Sequence, residues 1–173
     1  MNVVLGYDPV TLREKVDLAA VGARLQELGD QRSLAALNEK VELLRLGGQL
    51  DEAMDVANEA VRQARFGGDR EQLLLARVRK AHVMQFQGKL EAALVELGDC
   101  VREAAAHDWA SAEAFAQQHR GTVHFDLKDY PAALRDFRDA LTLRVRIKSS
   151  PDLVDSSMVA IAIAESFLDT GEG

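Results

Sequence analysis

The chain has 173 residues, of which 47% are apolar, 28% charged and 5% aromatic, with one cysteine and three prolines. This length suits one domain or one short repeat array, and the composition is that of a packed globular protein, which excludes two large domains and disfavours disorder and all-β folds. Lys and Arg number 21 against 28 Asp and Glu, a net charge of -7 that repels phosphate backbones and anionic lipid, so neither nucleic acid nor a membrane is expected as a partner.

Cys100 is the lone cysteine and has no internal disulfide partner. There is no basic-then-apolar leader and no long apolar run, so a cytoplasmic location is expected. Glycine and proline punctuate the chain at Gly29, Gly47, Gly67, Gly88 and Pro151, and the segments between them carry apolar residues at helical spacing. The pattern predicts an all-α chain. The first helix is expected from Pro9 to Leu28, capped by Asp8, with Pro9 at the first helical position and Gly29 as the left-handed stop. Further helices follow at Ser33 to Leu46, Leu50 to Phe66, Arg70 to Gln87, Leu90 to Ala106, Trp109 to Leu127, Pro131 to Lys148 and Asp152 to Leu168. The links between them are short, which makes successive helices antiparallel hairpins.

An internal repeat organises these helices. Gly48, Leu50 and Ala53 recur as Gly88, Leu90 and Ala93, then as Lys128, Tyr130 and Ala133, at intervals of 40 residues. The register holds down the second helix of each unit in the columns Ala57, Leu97, Phe137 and Ala60, Cys100, Ala140. In the first helix it holds in Ala36, Ala76, Ala116; Val41, Ala81, Gly121; and Leu43, Val83, Val123. Ala53, Ala93, Ala133, Leu97, Phe137, Ala60, Cys100 and Ala140 are expected to be buried, with Cys100 a small filler rather than a nucleophile.

These columns resemble the tetratricopeptide repeat (TPR) family in its long, roughly 40-residue variety, like that of kinesin light chains and bacterial peptide-sensing regulators. Ala164, Phe167 and Gly171 fit the same columns in a partial fourth unit, whereas Lys40, Lys80 and Arg120 stand where the family prefers Leu. The resemblance implies antiparallel hairpins stacked as a right-handed superhelix, an α-solenoid. Residues 1–32 would form an N-terminal capping helix, 33–68, 69–108 and 109–150 the repeats, and 151–173 the partial fourth.

It further implies a non-enzymatic scaffold for protein binding, whose concave groove takes a peptide or helix. Transferring the family's groove positions selects Asn38, Glu42, Arg79, His82, Gln85, Gln118, His119 and Phe125 as partner-binding, with no catalytic residue, cofactor or metal. Glu42 beside Asn38 disfavours capture of a free C-terminal carboxylate. The alternative for these residues is a solvated face without ligand. His82, His119 and Glu42 would make a metal set if they converged, but they lack a metal-ligand spacing and read first as structural or partner-bonding histidines. His124 falls in an apolar column and is expected to pack in the core. The Arg144 to Lys148 run suits a helix C-terminus better than nucleic acid. The apolar Met158 to Ala164 stretch needs cover, so a structural array or homodimer through the C-terminal helix is a second expectation. Finally, the basic column and the acidic column Glu59, Asp99, Asp139 share the period, which predicts an ion pair across each hairpin, with solvated side chains as the alternative.

Overall fold

The computed structural model describes residues 3–170. Strands β1 (Val4–Tyr7) and β2 (Glu14–Val16) come first. They are followed by helices α1 (Leu18–Leu28), α2 (Leu34–Leu46), α3 (Leu50–Gly67), α4 (Arg70–Phe86), α5 (Leu90–Ala106), α6 (Ala110–Asp126), α7 (Tyr130–Arg146) and α8 (Pro151–Asp169). The fold is all-α apart from this one small antiparallel hairpin, which pairs Val4 with Val16 and Tyr7 with Glu14. Among the described residues no helix is long and apolar enough to cross a membrane. Gly171 lies outside them.

The hairpin corrects the expectation of a capping helix from Pro9. Asp8 is a turn residue: its carboxylate accepts hydrogen bonds from the backbone N–H groups of Val10 and Thr11, and its own N–H donates to the Arg13 carbonyl. Leu12 then takes a left-handed φ of 57°, which ends any helix. The reason is tertiary. Leu12 is buried in one apolar cluster with Phe125, Leu134 and Phe137, and burial of a leucine, at about 1.5 to 3 kcal/mol, outweighs the local helical preference of a few residues. Helix α1 therefore starts later, where the Asp17 carboxylate accepts from the Ala20 N–H at 3.0 Å.

From α2 onward the expected helices form with ends shifted by no more than two residues. Both kinds of turn repeat with the sequence period. At the turn inside each hairpin, Gly48, Gly88 and Lys128 all have φ between 61° and 79°. At the turn between hairpins, Gly68, Asp108 and Lys148 have φ between 54° and 76°. In each hairpin the left-handed residue lets the next N–H reach back into the last helical turn, as Lys89 N–H does to the Met84 carbonyl at 2.9 Å.

Packing runs between sequence neighbours from α1 to α8, with additional contact of α4 with α2 and with α6. The repeated columns form the core: Ala53, Ala93, Ala133, Leu97, Phe137, Ala60, Cys100 and Ala140 are all buried. The columns Ala36, Ala76, Ala116 and Leu43, Val83, Val123 are buried with them. His124 is only half-buried, between the carboxylates of Asp129 and Asp136.

The expected ion pairs do not form in any unit. Lys40 Nζ instead donates to the carbonyls of Gly29 and Gln31 at 2.6 and 2.7 Å, tying down the α1–α2 loop, and Glu59 pairs with Arg32 at 2.9 Å. Asp99 pairs with Arg102 on its own helix. Lys80 makes no ion pair among the described residues, and Arg120 forks onto Asp136 at 2.8 and 2.6 Å rather than onto Asp139. Asp136 lies almost one turn nearer the hairpin turn than Asp139, and so is level with Arg120. The residue 40 positions earlier, Glu96, takes Arg77 at 2.6 Å. A cross-helix pair is thus present in the second and third units, one turn away from the columns that predicted it, whereas the first unit has Val56 at the acidic position.

Candidate functional site

Helices α2, α4 and α6 share one face, and every residue selected for partner binding lies on these three helices. The hairpin β1–β2 divides that face in two.

The first part is an open groove of about 990 Å³ between α1, α2 and α4, with Leu43, Leu46 and Leu75 on its floor. Asn38, Glu42 and Arg79 line it. Asn38 is buried, yet its side-chain carbonyl Oδ1 has no hydrogen-bond partner, and neither has Arg79 Nη1. Buried polar atoms are usually satisfied, so these two orphans, shut off from solvent in the groove wall, mark side chains that a polar ligand could draw out and satisfy. Burial also lowers the Arg79 pKa, against the pull of Glu42, whose carboxylate is 3.8 Å away. Glu39 and Glu27 hold Arg24 at the rim, at 2.6 and 2.8 Å. Hydrogen bonding to Arg24 keeps the Glu39 carboxyl below its usual range.

The second part lies under the hairpin. Arg13 reaches across to Asp126 at 2.7 Å, and Gln85 Nε2 donates to the same carboxylate oxygen at 2.7 Å. Gln85 in turn accepts from the Thr122 hydroxyl at 3.0 Å. Glu14 pairs with Arg45 at 3.0 Å, and the guanidinium carbons of Arg13 and Arg45 stand 4.3 and 4.7 Å from the Phe86 ring centre. His82 and His119 meet at 4.1 Å between ring centres with their planes tilted by 46°, beside Phe115. Both imidazoles have pKa values well below normal because burial disfavours the charged form and Arg45 adds repulsion. They are neutral at pH 7.

The eight selected residues therefore do not form one open surface. Asn38, Glu42 and Arg79 line the open groove. His82, Gln118 and His119 line a smaller cavity roofed by the hairpin, and Gln85 is buried in the network below Arg13. Phe125 is a core residue, packed edge-on against Tyr130 and Phe167 at 5.3 Å. Sequence columns missed Arg144, which is buried on α7 and donates to the Leu153 carbonyl at 2.7 Å and to the Ser157 hydroxyl at 2.8 Å. Its acceptors lie mostly on α8, with Gln118 of α6 adding one at 3.3 Å.

Burial pushes the Cys100 thiol up to about 12, so it is no nucleophile at pH 7. Among the described residues no three His, Cys, Asp or Glu side chains gather as a metal site.

No protein-family model matches the chain. Among curated proteins there is no match either. Among solved structures the chain is similar to BtubC (BKLC) from P. vanneervenii, at a TM-score of 0.63 and 14% identity over 87% of this chain and 65% of that one. The chain thus spans less than two thirds of that protein's length, and the likeness is one of fold.

Proposed function

We propose that this chain is a non-enzymatic interaction module of the TPR type, a right-handed stack of helix hairpins that binds an extended peptide segment of a partner protein. The ligand lies in the part of the concave face left open by the hairpin, between α1, α2 and α4. The observation that carries this reading is the pair of buried, unpartnered polar atoms, Asn38 Oδ1 and Arg79 Nη1, in a groove with an apolar floor. One accepts and the other donates, as the N–H and C=O groups of an extended backbone require. Glu27, Glu39 and Glu42 against Arg24 and Arg79 leave the groove with one negative charge in excess, which favours a basic side chain on the peptide. The 40-residue repetition of turns and core columns supports the superhelix, and a rigid stack would lose little entropy on binding.

Selection of a random peptide library on the immobilised chain tests the reading. Enrichment of segments bearing Lys or Arg, abolished by Asn38→Ala with Glu42→Gln, is the expected result. No enrichment, or enrichment equal on the double variant, contradicts it.

A second reading is favoured by one observation. Helix α8 packs on α7 alone among its major contacts, and exposes Met158, Val159 and Leu168. Self-association through that helix would cover them. Sedimentation of the full chain tests it, and a monomer at all concentrations removes it.

A further inference from the structure

Arg144 is a buried cation without a carboxylate. Only 4% of its surface is exposed. Its Nη1 is held by neutral acceptors, the Leu153 carbonyl and the hydroxyls of Ser156 and Ser157 at 2.7 to 3.0 Å, with Gln118 Oε1 at 3.3 Å. Its Nε and Nη2 make no hydrogen bond among the described residues. An uncompensated guanidinium in low dielectric is costly, and proteins normally pair it.

Its surroundings do pair the others. The charged groups around the hairpin floor are Arg13, Arg45, Arg79 and Arg144 against Glu14, Glu42 and Asp126. Arg13 has Asp126 at 2.7 Å, Arg45 has Glu14 at 3.0 Å and Glu42 at 3.2 Å, and Arg79 shares Glu42 at 3.8 Å. Four guanidinium groups thus face three carboxylates, and Arg144 is the one that pairs with none of them.

That charge borders a cavity of about 170 Å³ under the hairpin. The walls are largely apolar, from Leu12, Phe86, Phe115 and Ala160. A water needs only about 10 to 15 Å³ of such space, together with several polar partners. Tyr7 contributes a second donor from β1: its hydroxyl makes no hydrogen bond among the described residues, and the charges it feels are Glu14, which is paired with Arg45 on the cavity lining, and then Arg144. His82 and His119 add imidazoles whose Nδ1 atoms are buried and unpartnered.

We propose that this cavity binds a small carboxylic acid with an apolar body, its carboxylate on the Arg144 guanidinium and the Tyr7 hydroxyl and its body against Leu12, Phe86, Phe115 and Ala160. The ligand supplies the missing negative charge, and a charge-assisted bond in such a site is stronger than one in water. The site is separate from the open groove and does not depend on peptide binding there. Because Tyr7 and Leu12 belong to the hairpin, an occupied cavity also fixes the hairpin in place.

The probe is benzoate, with benzamide as its neutral counterpart, titrated into the full chain carrying labelled Ala and Leu methyl groups. Benzoate should shift the Leu12, Leu153 and Ala160 signals saturably, with a Kd of about 1 mM or below, and benzamide should bind at least about tenfold more weakly. Tyr7→Phe keeps the ring and should weaken benzoate by about threefold or more, while Arg144→Met should abolish binding. If Arg144→Met does not fold, the benzamide comparison and Tyr7→Phe decide alone. No saturable shift, equal affinity for benzoate and benzamide, an unchanged Tyr7→Phe, or shifts confined to Leu43, Leu46 and Leu75 would each overturn the proposal.

Discussion

A Cβ added to Gly121 would stand 2.5 Å from Cε1 of Phe137. The two residues end a graded series across the hairpins: as the first-helix column shrinks from Val41 to Ala81 to Gly121, the facing column grows from Ala57 to Leu97 to Phe137. Each pair shares one inter-helix space, and cores of this density accept a large side chain only where a small one faces it.

Gly121→Ala should therefore destabilise the chain by about 1 to 3 kcal/mol, because the helix propensity gained is smaller than the cost of moving a buried ring. Phe137→Leu alone leaves a void and also destabilises. The double variant recreates the Ala81 and Leu97 pair of the neighbouring hairpin and should lose much less than the sum of the two. Urea titrations of the three variants read this coupling, and additive losses would show that the two residues do not share a space.

Lys128 takes the left-handed conformation that Gly48 and Gly88 take at the same turn. For a residue with a Cβ this costs about 1 to 2 kcal/mol, partly offset because glycine loses more chain entropy on folding. Lys128→Gly should raise stability by up to about 1 kcal/mol, with Tm higher by about 1 to 4 °C. The reverse change, Gly88→Ala, should lower both.

Much of this was legible in the sequence because it is periodic. The helices, the turn positions and the buried columns all repeat every 40 residues, and a period preserves register even where individual residues drift. The hairpin was not legible. Asp8 followed by Pro9 signals a helix start and a turn equally well, and the arbiters, Leu12 in the core and Arg13 on Asp126, depend on residues more than 110 positions away. For the same reason the columns placed Phe125 on the face when it packs in the core, and could not show that part of that face is roofed. The ion pairs failed by one helical turn, since equal spacing along two columns does not set which levels of the helices meet.

The hairpin is held by partly exposed polar contacts as well as by Leu12. Arg13→Ala should lower global stability by only about 1 to 2 kcal/mol, because the Arg13 side chain is 36% exposed and its ion pair is screened. The local effect should be larger. Hydrogen exchange at the Gly6 and Lys15 amides should quicken well beyond exchange in α5, and equal changes everywhere would mean that the hairpin has no stability of its own to lose.

His82 and His119 have folded pKa values well below 6.5, through burial first and Arg45 next. The unfolded chain therefore binds more protons than the folded one as pH falls below about 6.5, and each histidine removes up to about 1.4 kcal/mol per pH unit until its folded pKa is reached. Above about pH 7 this contribution is complete and constant. Stability measured between pH 7 and 5 should fall with the sum of the two slopes, up to about 2.8 kcal/mol per pH unit, and lose up to half of that slope in His82→Gln, which leaves His119 in place. The carboxylates of Glu39 and Glu59, whose pKa values are lowered by Arg24 and Arg32, act only at lower pH.

The account rests most on the open groove as the place where a peptide binds. Methyl chemical-shift mapping with a library-selected basic peptide addresses this directly. Binding in the groove should move the signals of Leu43, Leu46 and Leu75, leave those of Met158 and Leu168 on α8 in place, and weaken at least about tenfold in Asn38→Ala combined with Glu42→Gln. Shifts centred on α8, or an affinity indifferent to Asn38 and Glu42, would contradict it.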